Sequence, residues 1–251
     1  MSSIKKRIVI IGATSSIAEH CARLWVKDAG VDLTLVGRDQ DKTERIAADL
    51  RVRSPQSIIR AREADFVDPV AIHHLVTDIV TGESTDIVLI AHGFLPDQAV
   101  CQRDLSACHD ALTVNSISPA LFAEAFAGPM QKANRGTLAI IGSVAGDRGR
   151  KSNYVYGAAK GFVARYAQGL QHRLAGSGVK VVLIKPGPTD TPMTEHLKQQ
   201  GKPLASVTEV AQSIVDGINQ GKPVIYAPAK WALIMMIIRH LPRFVFNRMD
   251  I

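Results

Sequence analysis

Three side chains in the stretch 140–160, IIGSVAGDRGRKSNYVYGAAK, have the types and spacing for proton transfer: the Ser143 hydroxyl, the Tyr156 phenol and the Lys160 ammonium. Tyr156 and Lys160 stand four apart in a segment of helical composition, so they share one helix face. A free phenol, with a pKa of about 10, is a weak acid and a worse base at neutral pH, and a neighbouring cation lowers that value. Lys160 is placed to supply the cation. Ser143 follows an apolar run with the character of a buried strand. If that strand end meets the helix start, Ser143 holds the same substrate oxygen that Tyr156 protonates. Such a set fits reduction of a carbonyl, although a Tyr-x-x-x-Lys pair alone is more readily a surface accident.

The elements that position this set read as alternating strands and helices. Arg7 to Ile11 is a β-branched run ending at Gly12, and Ser15 to Lys27 reads as a helix with Ile17, Cys21, Leu24 and Trp25 on one side. The turn between them, GATSSIA, sets backbone N–H groups and a helix N-terminus toward a phosphate. Asp32 to Val36 is the second strand, and it ends in Gly37-Arg38-Asp39. A carboxylate at a strand tip bonds the 2′-hydroxyl of NAD, whereas a guanidinium binds the 2′-phosphate of NADP through paired hydrogen bonds. Arg38 therefore favours NADP(H) over NAD(H); the competing reading has Arg38 stacking on adenine or facing solvent, with Asp39 on the ribose. Further strands are expected at 58–65, 86–91, 136–142, 179–184 and 223–227. Helices are expected at 41–52, after an Asp68 cap, through 105–127 with Pro119 as an irregularity, and at 207–219.

Asn115, Ser143, Tyr156 and Lys160, together with the glycine-containing turn at the start, resemble the Asn-Ser-Tyr-Lys set of the short-chain dehydrogenase/reductase family over nearly the whole chain. The resemblance implies a single-domain, Rossmann-type, doubly wound parallel α/β sheet. It implies that Asn115 holds a helix kink and binds a water linking Lys160 to solvent, and that Tyr156 and Lys160 also contact the cofactor. It further implies a cofactor on Gly12, Thr14, Ser15, Ser16 and Ile17, adenine near Asp65 and Phe66, and contacts from Ala91 and Gly93. The Pro186-Gly187 turn with Thr189 and Thr191 would meet the nicotinamide amide. The sequence departs from the family pattern in two places. Ser16 and Ala18 stand where the second and third turn glycines fall, and Ala91-His92-Gly93 replaces Asn-Ala-Gly. His92, a lone histidine at a strand end, is read as structural.

The chain has 251 residues, 46% of them apolar, which suits one large domain, expected over 1–229. Three cysteines with no metal spacing suit a reducing, cytoplasmic setting. A net charge of +7 allows an acidic partner without choosing among them. The loop 147–151, DRGRK, reads either as a solvated charged loop or as a contact for a substrate phosphate, and 193–204 as a mobile lid over the substrate.

The tail 230–251, KWALIMMIIRHLPRFVFNRMDI, forms an amphipathic C-terminal extension. Its apolar block 231–238 is far below the roughly 20 residues needed to span a bilayer. Flanking Arg239, His240, Arg243 and Arg248 suit a peripheral position on an anionic membrane surface; a contact with another subunit of a homo-oligomer is the equal alternative. The tail, with VYGAAKGFVARYAQGL and VLIKPGPTDTPM, resembles the family's reductases of polyprenylphosphoryl keto-pentoses. That resemblance implies a lipid-linked ketone substrate, a flavin-dependent oxidase partner that makes it, and the inner face of the plasma membrane as location. A small carbonyl or 3-oxoacyl substrate is the alternative, and a non-catalytic NADP(H)-binding protein a third. No nucleic-acid partner and no metal are expected.

Overall fold

A computed structural model describes residues 5–28 and 30–249; the last two residues of the tail lie outside the described residues. Seven strands form one parallel sheet in the order β3-β2-β1-β4-β5-β6-β7: β1 (Lys6–Ile11), β2 (Val31–Gly37), β3 (Ile58–Glu63), β4 (Ile87–Ile90), β5 (Gly136–Ile141), β6 (Val179–Pro186) and β7 (Val224–Ala227). The near-continuous apolar runs have a direct cause, since a parallel sheet is covered on both faces and both side-chain rows are buried. Along β1, Ile8 and Ile10 enter one core layer while Val9 and Ile11 enter the other.

The first layer packs α1 (Ser16–Asp28), α2 (Gln40–Arg53) and later α9 (Val207–Asn219) on the sheet through Trp25, Leu50 and Ile214. The second packs α3 (Pro69–Val80), α6 (Ser118–Ala133) and α7 (Tyr154–Leu174) through Ile72, Phe122, Phe126 and Leu170. Between α3 and α6 lie α4 (Gln98–Arg103) and α5 (Leu105–Leu112); α8 (Glu195–Gln199) lies in the expected lid. The strand order reverses between β1 and β4, and at that point a crevice opens at the carboxyl ends of the strands. Gly12 ends one side of it and the segment 91–93 the other.

The tail forms α10 (Lys230–His240) and α11 (Arg243–Phe246) and is packed onto the domain. Met235 is fully buried, and Trp231 seats so closely on the Pro186-Gly187 turn that a Cβ at Gly187 would come within 1.9 Å of its Nε1. No helix among the described residues is long and apolar enough to cross a membrane.

Candidate active site

β5 delivers Ser143 and α7 delivers Tyr156 and Lys160, and two glycines let the connecting turn lie on the helix. A Cβ at Gly146 would come within 2.6 Å of the Lys160 carbonyl carbon, and one at Gly157 within 2.9 Å of the Ala145 carbonyl oxygen. Only hydrogen fits at this approach, which is what brings two residues thirteen positions apart together. The Ser143 hydroxyl lies beside the Tyr156 phenol closely enough to favour its ionised form, and Ser143 Oγ accepts from the Ala145 amide at 3.1 Å. Lys160, 3% exposed, lies beneath the Tyr156 ring with Nζ 5.8 Å from its centroid and donates to the Ile141 carbonyl at 3.1 Å.

The electrostatics correct one expectation. The Tyr156 phenol is pushed up to about 12 by burial, with the Ser143 hydroxyl as the opposing influence, and the Lys160 ammonium does not lower it. Burial also brings Lys160 down to about 8. Desolvation of both groups outweighs their attraction because Nζ stands off the ring and is bound to a backbone carbonyl. Tyr156 thus keeps its proton throughout the neutral range and is set as an acid.

Asn115 is fully buried at the centre of a π-helical turn, Thr113–Ile117. Its Oδ1 accepts from the Phe94 amide at 2.9 Å and its Nδ2 donates to the Ala111 carbonyl at 2.9 Å. A Cβ at Gly93 would lie 2.7 Å from Asn115 Oδ1 and 3.4 Å from Lys160 Nζ, so Gly93, Asn115 and Lys160 converge. Asn115 ties the end of β4 to the helix and so positions the floor beneath Lys160. His92 is held by packing and one hydrogen bond: Nε2 pairs with Ser118 Oγ at 2.7 Å, the ring meets Phe66 and Phe122 edge to face, and Nδ1 is buried without a partner in a residue that lines the cleft. Burial first, then the charges of Lys160 and Arg38, lower its pKa to about 3, so the ring is neutral.

A groove lined by Gly12, Thr14, Ser15, Ser16, Arg38 and Gly93 runs into the cleft that holds Ser143, Tyr156 and Lys160. Its residues fit a dinucleotide. Gly12 has φ +83, and a Cβ there would strike the His92 backbone at 2.6 Å, so the turn is open to a phosphate only as glycine. Ala18 is fully buried, giving the close helix packing that a glycine gives elsewhere. Arg38 is exposed at the tip of β2, and Lys42, which the sequence reading missed, lines the same end. Asp39 is engaged otherwise: it caps α2, accepting from the Lys42 amide at 2.9 Å and pairing with Lys42 Nζ at 3.1 Å. Asp65 spends its carboxylate on the Val67 and Asp68 amides and the Phe66 ring lies in the core; Phe66 lines the groove, whereas Asp65 lines an adjoining hollow beside Arg38.

Ile17, Ala91, Pro186, Gly187, Thr189 and Thr191 all line the catalytic cleft. The Thr189 hydroxyl turns back to the Gly187 carbonyl at 2.9 Å. In the lid, Met193, Thr194 and Leu197 border the same space. The basic loop divides its labour. Arg148 does not face substrate; its guanidinium donates to the Ile238 carbonyl and, at 2.7 Å, to the Leu241 carbonyl, and lies 3.8 Å over the Phe246 ring. Free carbonyls at the end of α10 attract that cation. Asp147 binds Lys185 and accepts from Tyr226 Oη at 2.8 Å, fastening the loop to β6 and β7. Arg150 alone of the loop lines the cleft.

Comparison with known proteins agrees with this arrangement. The family described as short chain dehydrogenase matches residues 6–202. An uncharacterized oxidoreductase of Mycobacterium tuberculosis (strain ATCC 25618 / H37Rv) is 34% identical over 246 residues, covering 96% of each chain. One of Streptomyces coelicolor is 28% identical over 247 residues, covering 97% of this chain and 96% of the relative. Among solved structures, a short-chain dehydrogenase from Sphingobium yanoikuyae in complex with NADPH superposes with TM-score 0.81 at 24% identity, covering 97% and 96% of the two chains. A short chain dehydrogenase from Burkholderia cenocepacia J2315 in complex with NADP gives 0.82 at 17% identity, covering 99% and 98%. At these identities the structures share the fold.

Proposed function

The chain belongs to the short-chain dehydrogenase/reductase family and is an NAD(P)-dependent oxidoreductase, and from that premise we propose that it reduces the 2-ketone of a polyprenylphosphoryl pentofuranose, with NADPH as preferred donor. Tyr156 donates its phenolic proton to the ketone oxygen as negative charge develops there, and Ser143 holds that oxygen. Lys160 binds the nicotinamide ribose and places a positive charge beneath the phenol as the proton leaves. When bound, the cofactor supplies the hydride to the carbonyl carbon. The preference for NADPH rests on Arg38 and Lys42 standing at the ribose end while Asp39 is committed to capping α2.

The observation that carries the lipid-linked substrate is the composition of the tail and its place beside the cleft. Leu233, Met236, Ile237 and Phe244 are exposed, and the exposed Lys230, Arg239, Arg243 and Arg248 are interspersed with them in the sequence. Residues 217–249 contain no acid, so the surface is complementary to anionic lipid. Trp231 meets the Pro186-Gly187 turn and Met235 meets Arg150, and since Pro186, Gly187 and Arg150 line the catalytic cleft, the tail packs beside it. A flavin-dependent oxidase would supply the keto sugar, the two steps together inverting one carbon. The test is NADPH and NADH oxidation on polyprenylphosphoryl-2-keto-pentose generated in place by such an oxidase, with anionic vesicles present. Turnover is expected. Silence with an active oxidase and intact cofactor binding would transfer the assignment to a carbonyl reductase of an uncharged ketone, with the tail as a subunit contact.

A further inference from the structure

Two half-buried side chains that line the cleft beyond Ser143 and Tyr156 each carry one buried polar atom without a hydrogen bond. Arg150 Nε has no hydrogen bond, and its Nη2 reaches only Met235 Sδ, at 3.7 Å. Asp147, the acid nearest in sequence, is engaged by Lys185 and Tyr226, and among the described residues Arg150 forms no ion pair. Asn153 Oδ1 is the second. Asn153 holds the N-cap position of α7, where an asparagine oxygen ordinarily accepts an amide of the first turn. Here the Val155 amide donates instead to Gln98 Oε1 at 3.0 Å, so the Asn153 oxygen is left without that partner in a residue that lines the cleft. Proteins pair nearly all of their buried donors and acceptors. Arg150 and Asn153 both line the substrate cleft, and each leaves a buried atom unpaired behind that lining, so no protein partner fixes the guanidinium or the amide there.

We infer that Arg150 is an oxyanion subsite for the substrate, so that the ketone reduced here carries a phosphate or a carboxylate within reach of the carbonyl. This rests on the reading of the cleft as a ketone site and assigns to Arg150 the contact with the oxyanion that such a substrate carries. The planar fork of the guanidinium suits either oxyanion, and Arg148, two residues earlier, is excluded from the role by its commitment to the tail.

The test measures NADPH-dependent reduction of acetophenone, 4-acetylbenzoate and 4-acetylphenyl phosphate by the full chain and by its Arg150→Met and Arg150→Lys variants. A charge-assisted hydrogen bond corresponds to a selectivity of about tenfold to a hundredfold. The wild-type protein is expected to favour an anionic ketone over acetophenone by that factor in kcat/KM, through KM. Arg150→Met removes the preference and Arg150→Lys restores part of it, and the better of the two anions identifies the oxyanion. Equal selectivity in wild type and Arg150→Met overturns the inference. A second readout needs no turnover: calorimetric titration of phenyl phosphate into NADP-loaded protein, where Arg150→Met is expected to weaken Kd by at least about tenfold. An unchanged Kd, or no binding to wild type, overturns the subsite; binding lost with Arg150→Met in a protein that reduces none of the ketones faults the ketone reading instead.

Discussion

Replacing Lys160 with methionine should stabilise the protein while disabling it. Lys160 is 3% exposed and burial holds its pKa at about 8, against 10.5 for a free lysine. At about 1.4 kcal/mol per pH unit, keeping it charged in the folded state costs about 3 kcal/mol at pH 7. Below about pH 8 lysine is charged in both folded and unfolded chains, so the full cost applies. Between about 8 and 10.5 the unfolded chain holds a proton that the folded one has released, and stability rises with pH; above that window the cost is gone. Methionine removes the charge, keeps most of the length and forfeits the hydrogen bond to the Ile141 carbonyl, about 1 kcal/mol. The net gain is about 2 kcal/mol at pH 7, or roughly 4–8 °C in Tm for a domain of this size. Urea unfolding of both proteins without cofactor, at pH 7 and again at pH 10, isolates the lysine because the other titrating groups are shared. The Lys160→Met advantage should be largest at pH 7 and shrink by pH 10. A variant no more stable than wild type at pH 7, with a wild-type difference that does not change with pH, would refute the reasoning.

Three further outcomes follow from contacts already described. Arg38→Ala should raise KM for NADPH by about tenfold to a hundredfold and leave NADH little changed, as expected for loss of a charge-assisted contact to a phosphate; equal effects on both donors would place Arg38 away from the 2′-phosphate. Exchanging Leu233 and Phe244 for aspartate should abolish sedimentation with anionic vesicles without lowering Tm, since both side chains are exposed; unchanged sedimentation would remove the tail from the membrane. Arg148→Met should release the end of α10, seen as faster amide hydrogen exchange over 238–246, because it loses two carbonyl contacts and an aromatic one.

Much of this architecture is legible in the sequence because burial on both faces of a parallel sheet leaves strands as uninterrupted apolar runs, and all seven stand within two residues of their expected ends. The glycine turn and the Ser-Tyr-Lys spacing are legible for the same local reason. What was not legible depends on contacts across the fold. The irregularity expected at Pro119 is instead the π-helical turn before it, held by the bond from the Phe94 amide to Asn115, while Pro119 sits without strain in the first turn of α6. The helix α4 escaped notice at six residues, although Asp97 and Asp104 cap α4 and α5 in the ordinary way and mark their starts. Arg148 and Arg150 read alike in sequence, and only the folded tail separates them. The lowering of the Tyr156 phenol expected from Lys160 does not occur, because burial raises it and outweighs the neighbouring charge.

The central claim is that Tyr156 is the proton donor of a ketone reductase. Its most direct test is Tyr156→Phe, assayed for ketone reduction under single-turnover conditions beside a fluorescence titration of NADPH binding. Deleting one hydroxyl at a packed site leaves the ring and its neighbours in place, so NADPH should bind within a few-fold of wild type while reduction falls by at least about a hundredfold, the usual contribution of a positioned general acid. A Tyr156→Phe protein that still reduces the ketone at a rate near that of wild type would contradict the account.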